Sequence, residues 1–243
     1  MGGPESGPAR DGAAGGTAAG EGVPAVYCGP TLLSGPALPI MPAARPPAAR
    51  RTDTNLRQAI LDRARRLLVA EGYDRLSMRK IAAGVGVSAT SIYLHFASKD
   101  ALTHALIDEG MERLYGTLTA AVTADPVATL GALCRAYVRF GIDNPEVYQI
   151  LFQLHPERME RYPAEQYRRA RRNIEVFAEA IEAGAAAGHL RADPSADVAA
   201  NVLWTALHGL VSLTLAERID VRLAGEAFTE AAVRQAIAGL TAA

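Results

Sequence analysis

Aromatic side chains are scarce in this 243-residue chain, 6% of the total with a single tryptophan, although 49% of residues are apolar. Much of the apolar content is alanine, a strong helix former that fills a core thinly. No stretch sustains the alternation of Val, Ile, Thr and aromatics that marks strands. Sheet architectures are therefore set aside, and an all-α fold of closely packed helices is expected. Cysteine is equally sparse: Cys28 and Cys134 lie in regions of different character, which argues against a disulfide framework and fits a reducing cytoplasm. Gly and Pro break up the segment AVYCGPTLLSGPALPI, so no membrane span is expected, and the first twenty residues lack the apolar centre of a secretory signal. His104, His155 and His189 stand singly, without HxxxH, CxxC or a nearby acidic partner, which argues against a metal site. No nucleophile with a base, glycine-rich phosphate loop or cofactor fingerprint is present, so neither an enzyme nor a cofactor is expected.

What charge there is lies unevenly. Residues 45–100 hold eleven Lys or Arg against five Asp or Glu, a net +6, whereas residues 101–243 hold thirteen against eighteen, a net −5. A basic segment beside an acidic one suits a polyanionic partner for the first alone. Residues 1–52 are rich in Gly, Ala and Pro and have no periodicity, so they are expected to be disordered, with Met41 a second potential start. Arg45, Arg50 and Arg51 form a basic, Pro-rich arm that either reaches a minor groove or is a solvated tail.

Ordered structure is expected from residue 53. Leu56, Ile60, Ala64 and Leu67 or Leu68 recur at helical spacing and Gly72 supplies the stop, giving a helix over about 54–71. Ser77 can cap a short helix to about residue 84, Ser88 another to about 95, and Ser98 a longer one toward 119. Between the short helices, GVGV allows a sharp reversal. Beyond Pro126 the pattern gives helices near 127–142, 145–155, 161–187, 195–217 and 225–241, punctuated by Asp143-Asn144-Pro145, Gly188 and Asp193-Pro194.

Two short helices joined by a tight turn, with a third before them, make a helix-turn-helix unit. Ile92 and Phe96, four apart, face inward, so Ala89, Thr90 and Tyr93 face outward, small or hydrogen-bonding as a major groove requires. The segment LLVAEGYDRLSMRKIAAGVGVSATSIYLHFASKDAL resembles the TetR family of one-component bacterial transcriptional regulators, through the aromatic after Gly72, Ile81-Ala82, Gly86-Val87-Ser88, Tyr93-x-His95-Phe96 and Lys99. The resemblance implies phosphate contacts from Tyr93, His95 and Lys99, a lock by Phe96, and a phosphate cradled by helix-start amides near Ser77. Arg79 and Lys80, in the first turn of the second helix, run against the dipole preference, a cost that a phosphate would offset. The candidate DNA-contacting set is thus Ser77, Arg79, Lys80, Ser88, Ala89, Thr90, Tyr93, His95 and Lys99. Ser91 replaces a common threonine and Ala89-Thr90 a common Lys-Gly, which leaves the operator sequence undefined.

The segment NVLWTALHGLVSLTLAER, with NPEVYQILF, resembles the subgroup whose effector domain carries Trp-x-x-x-His-Gly, here Trp204, His208 and Gly209. Two readings of its polar and aromatic residues stand. Tyr137, Phe140, Tyr148, Phe152, Phe177, Asn201, Trp204 and His208 line an apolar pocket with a few polar tips, or the aromatics are plain core. Gly209, Ser212, Leu213 and Ala216 on one helix, with Val233, Ile237 and Leu240 on the next, form apolar stripes suited to a four-helix dimer interface. The run Arg168, Arg169, Arg171 and Arg172 reads as a solvated helix face. The expected protein is a cytoplasmic homodimeric repressor on a roughly palindromic operator, released by a small apolar or amphipathic effector. Its parts are an extension (1–52), a helix-turn-helix domain (53–100) and an effector and dimerisation domain (101–243). The alternatives are a dimeric nucleic-acid-binding scaffold without a sensor, or an enzyme with an appended helix-turn-helix.

Overall fold

A computed structural model describes residues 53–154, 159–191 and 193–241. The N-terminal extension, with Arg45, Arg50, Arg51 and Cys28, lies outside the described residues, as does His155. The helices are α1 (Asp53–Glu71), α2 (Met78–Val85), α3 (Ala89–Tyr93), α4 (Lys99–Thr119), α5 (Pro126–Asp143), α6 (Pro145–Phe152), α7 (Ala164–Ala186), α8 (Ala196–Leu215) and α9 (Glu226–Ala238). Among the described residues the only extended pairing is an isolated bridge between Leu190 and Thr241. The all-α expectation holds.

Local chemistry sets the ends of the first four helices. Gly72 takes φ +79° and returns its N–H to the Leu68 carbonyl, closing α1. The Ser77, Ser88 and Ser98 hydroxyls accept from the N–H groups of Lys80 (3.3 Å), Ser91 (3.1 Å) and Ala101 (3.0 Å), capping α2, α3 and α4. Gly86, at φ +80°, reverses the chain between α2 and α3. The third helix is shorter than its spacing suggests: the His95 N–H closes on Ile92 rather than Ser91, a tighter turn that ends it.

Two apolar cores follow. Ile60, Leu61, Leu68, Ile81, Ile92 and Phe96 build the first, and Leu102, Leu106 and Ile107 of α4 complete it. The second is made by α5, α7, α8 and α9 around Tyr137, Phe177, Leu203 and Val211, together with Leu114 and Leu118 of α4. The change in composition near residue 100 is therefore not a gap in packing, because α4 belongs to both cores. Gly110 sits at the crossing: a methyl group there would lie 2.8 Å from Leu151 Cδ2, so its hydrogen lets α6 cross α4 closely. α8 is long and apolar enough to cross a membrane by length and composition alone, and one of its faces closes the second core against α5, α7 and α9.

Candidate functional site

The reading surface is built by burial. Ile92 is completely buried and Phe96 nearly so, which turns Thr90 outward and leaves Tyr93 53% exposed. Arg79 is exposed as well, and Ala89 is half-buried. Leu94, at 83% exposure, is an apolar addition to this surface that the inward-outward reasoning passed over. The other five candidates have employment within the chain. Lys80 Nζ pairs with Glu71 Oε2 at 2.5 Å, and this lysine holds the Glu71 carboxyl below its usual range. The His95 side chain is only 10% exposed, with Nε2 3.4 Å from Asp53 Oδ1 at the start of α1. Lys99 is half-buried, its ammonium 3.8 Å from the centre of the Tyr73 ring and donating to the Tyr73 carbonyl at 3.1 Å. Ser77 and Ser88 serve as caps.

A row of polar contacts ties α4 to the approach and first turns of α7. Asp100 Oδ2 accepts from the Glu160 N–H (3.2 Å), and its Oδ1 accepts from the Tyr73 hydroxyl. The His104 ring meets the Glu160 carbonyl at 3.0 Å, and Asp108 accepts from Tyr162 Oη (2.6 Å) and Gln166 Nε2 (2.8 Å). One turn further on, Arg172 pairs with Glu112 at 2.5 Å. The arginine run is thus divided: Arg168 pairs with Glu165, Arg172 with α4, and Arg171 stands at the rim of a cavity.

That cavity, 430 Å³, lies among α4, α6, α7 and α8. Of the expected lining, Tyr137, Phe152, Asn201 and Trp204 border it, whereas Phe140 and Phe177 do not: both are buried in the surrounding core. Tyr148 and His208 stand directly behind Tyr137 and Phe152, with the Tyr148 and His208 rings stacked at 5.4 Å. Asn201 is at the exposed mouth, its amide spent on the Asp197 carbonyl. Met111, Arg171 and Asn173 also line it, as do Leu114, Leu151 and Ile174, and had no signal in the spacing of α8. A larger cleft of 680 Å³ opens between α5, the turn after α8 and the start of α9, but it touches neither α4 nor the aromatic cluster. Position favours the smaller one.

Hydrogen positions in the cluster follow from counting donors. Trp204 Nε1 donates to Tyr137 Oη at 3.0 Å, and the two tyrosine oxygens are 3.4 Å apart. Tyr148 Oη is 2.6 Å from His208 Nδ1, whereas Tyr137 Oη is 3.4 Å away. A neutral imidazole nitrogen accepts one hydrogen in its ring plane, so the closer Tyr148 hydroxyl takes it. Nε2 then carries the proton and points to Ser212 Oγ at 3.4 Å. Desolvation supports the assignment: it lowers the His208 pKa and raises those of both tyrosines, keeping all three neutral.

The outer face of α8 carries Val198, Val202 and Leu213 at 51%, 63% and 48% exposure, continued by exposed Ala216. Gly209 lies on this stripe, and a methyl group there would meet nothing within 4 Å, so no helix among the described residues uses the space. Ser212 turns partly inward to His208. On α9 the expected stripe is corrected. Val233 is completely buried, and Ile237 and Leu240 are half-buried against the same core, because α9 lies with this edge on α5 and α8.

Residues 60–106 match the family model for bacterial regulatory proteins of the tetR family, and residues 130–236 match that for a tetracyclin repressor-like C-terminal domain. Over 58 residues the chain is 43% identical to an HTH-type transcriptional repressor of Mycobacterium tuberculosis, a span of 24% of this chain and 31% of that protein. Over 76 residues it is 33% identical to an uncharacterized HTH-type transcriptional regulator of Haemophilus influenzae, covering 31% of this chain and 38% of the other. The matched span is thus less than half the length of either relative. A solved protein of unknown function from Rhodococcus sp. RHA1 superposes with a TM-score of 0.66 at 26% identity, over 77% of this chain and 96% of that one. A bacterial regulatory protein of the tetR family from Rhodococcus RHA1 superposes with a TM-score of 0.64 at 25% identity, over 77% and 98%. With the helix-turn-helix and the helical C-terminal region each matched, in the same order and on the same fold, the chain belongs to the TetR family of bacterial regulatory proteins.

Proposed function

We propose that the protein is a cytoplasmic, sequence-specific DNA-binding repressor that acts as a homodimer and leaves its operator when a small apolar or amphipathic molecule fills the 430 Å³ cavity. The observation that carries this reading is the division of α3, whose Ile92 is fully buried while Thr90 and Tyr93, like Arg79, stand in solvent. Such a helix offers a hydroxyl and a methyl to base edges and a phenol and guanidinium to phosphates. In this assignment residues 53–100 read DNA and residues 101–243 sense and dimerise, and the Trp204, His208 and Gly209 pattern supports reading the chain as one of the Trp-x-x-x-His-Gly subgroup. The apolar outer stripe of α8 is the dimer face, through Val198, Val202, Gly209 and Leu213. A two-fold dimer calls for a roughly palindromic operator with its reading helices about 34–36 Å apart. The row of contacts between α4 and α7 supports the coupling, since a ligand that displaces the start of α7 pulls on Asp100 and Asp108.

Selection of binding sites from random duplex DNA tests the reading. The full chain is expected to enrich a pseudo-palindrome, Thr90→Ala to alter the preferred bases in each half-site, and Tyr93→Phe to weaken all sequences alike. Recovery of no enriched sequence by the wild type rejects the proposal.

A further inference from the structure

Among the described residues, one buried polar atom at the cavity has no partner. Asn173 is 7% exposed, borders the cavity, and leaves its side-chain oxygen without a hydrogen bond. Its amide nitrogen is committed: Nδ2 donates to the Ala170 carbonyl at 3.0 Å and lies 3.4 Å from the Met111 carbonyl. Turning the amide over would set Oδ1 against those two carbonyl oxygens, acceptor against acceptor, so the orientation is fixed by its neighbours. An unsatisfied buried acceptor is costly, and such groups are rare unless something outside the chain completes them.

We propose that the ligand of this cavity is an apolar molecule bearing one hydrogen-bond donor, a hydroxyl or an N–H, which binds Asn173 Oδ1. The inference rests on the effector reading of the cavity given above. The oxygen is closed to solvent, so the donor reaches it only as neighbouring groups yield. Met111 is suited to yield: it borders the cavity, its sulfur is 3.7 Å from Asn173 Nδ2, and a thioether chain changes rotamer easily. The other end of the cavity has its donor in use, since Trp204 Nε1 is held by Tyr137. Asn173 is therefore the residue that sets specificity for the donor, while Leu114, Leu151, Phe152 and Ile174 receive the apolar body.

The only tryptophan in the chain, Trp204, borders the cavity, so its fluorescence reports occupancy directly. Titrating the full-length protein with 1-decanol and with decyl methyl ether compares a donor with a non-donor on one apolar body. The alcohol is expected to bind roughly tenfold or more tighter than the ether, the gap being lost in Asn173→Leu. Equal affinities in the wild type overturn the proposal and leave the cavity reading standing. If neither compound changes Trp204 emission, the cavity reading fails and the proposal with it. Should Asn173→Leu not fold, the Asn173 side-chain amide signal in a ¹⁵N spectrum of the wild type decides: it is expected to shift with the alcohol alone, and a response to both compounds alike overturns the assignment.

Discussion

The two halves of the molecule place their chemistry in opposite senses. Around α2 and α3, apolar groups are inside and hydrogen-bonding groups outside: Ile81 and Ile92 are fully buried, and Arg79, Thr90 and Tyr93 are in solvent. Around α8 the order inverts. A chain of polar groups from Trp204 through Tyr137 and Tyr148 to His208 is sequestered, and valines and a leucine face outward. Exposed polar side chains cost nothing while they await a hydrated polyanion, but a contiguous apolar stripe in water calls for a partner surface. The difference fits the proposed assignment, in which the first half meets DNA and the second meets another copy of the chain.

Introducing one charge on each side of the α8 and α9 pair gives the largest contrast. Val233→Glu places a carboxylate in a fully buried site and is expected to cost about 3–5 kcal/mol, seen as loss of cooperative unfolding in urea. Leu213→Glu, on the half-exposed stripe, is expected to change the stability of the isolated chain by no more than about 0.5 kcal/mol. Its effect is on assembly: sedimentation should give a monomer, with operator binding abolished. An intact Leu213→Glu dimer would break the comparison, since the stripe would then be ordinary surface.

The buried polar chain gives a smaller effect. Tyr148→Phe removes the donor to His208 Nδ1 and is expected to destabilise by about 1–3 kcal/mol in denaturant titrations, toward the lower end if Tyr137, 3.4 Å away, turns to replace it. The histidine also gives a pH signature of definite sign. Its folded pKa is depressed below the usual 6.5 by burial, so the unfolded chain takes up a proton first as pH falls. Stability is then lost below pH 6.5, until the folded state is protonated as well. A melting temperature that declines between pH 7 and pH 5 in the wild type, and declines less in His208→Gln, is expected. Equal slopes in the two proteins would remove His208 from the account.

How much of this was legible in the sequence depended on the range of the interactions. Serine caps and stop glycines act within four residues, and so the boundaries of α1, α2 and α4 could be read to within a residue or so. The inward Ile92 and outward Thr90 followed from local spacing in the same way. The cavity did not. Tyr137 meets Trp204 from 67 residues away, and Asn173 meets Met111 from 62, and nothing in a helical period says which aromatic faces a void and which faces core. Val233 was misplaced for that reason, since an apolar stripe does not say whether its neighbour is the same chain or another copy, and Phe177 takes the core alternative that spacing left open. The roles of His95 and Lys99 inside the domain were hidden similarly, because Asp53 and Tyr73 are distant along the chain.

Lys99 gives the finest test of the contrast, being a surface cation of the first half that has been drawn inward. In the free protein its ammonium rests on the Tyr73 ring and donates to the carbonyl of the same residue, joining the start of α4 to the turn after α1. A cation over an aromatic face at a partly exposed site contributes about 0.5–1 kcal/mol, so Lys99→Ala should lower folding stability by about that much. If the same lysine also swings to a phosphate on the operator, the slope of log affinity against log salt should fall by about 0.9 in that variant. Both losses are expected together, because the short reach from Tyr73 to the solvent beside α4 demands no backbone change. Tyr73→Leu separates them: it removes the ring but keeps the carbonyl, and it should reduce stability while leaving the salt slope of the wild type. A Lys99→Ala protein with reduced stability and an unaltered slope would show the lysine to be a pin within the domain, and would leave the exposed Arg79 as the cation of this face.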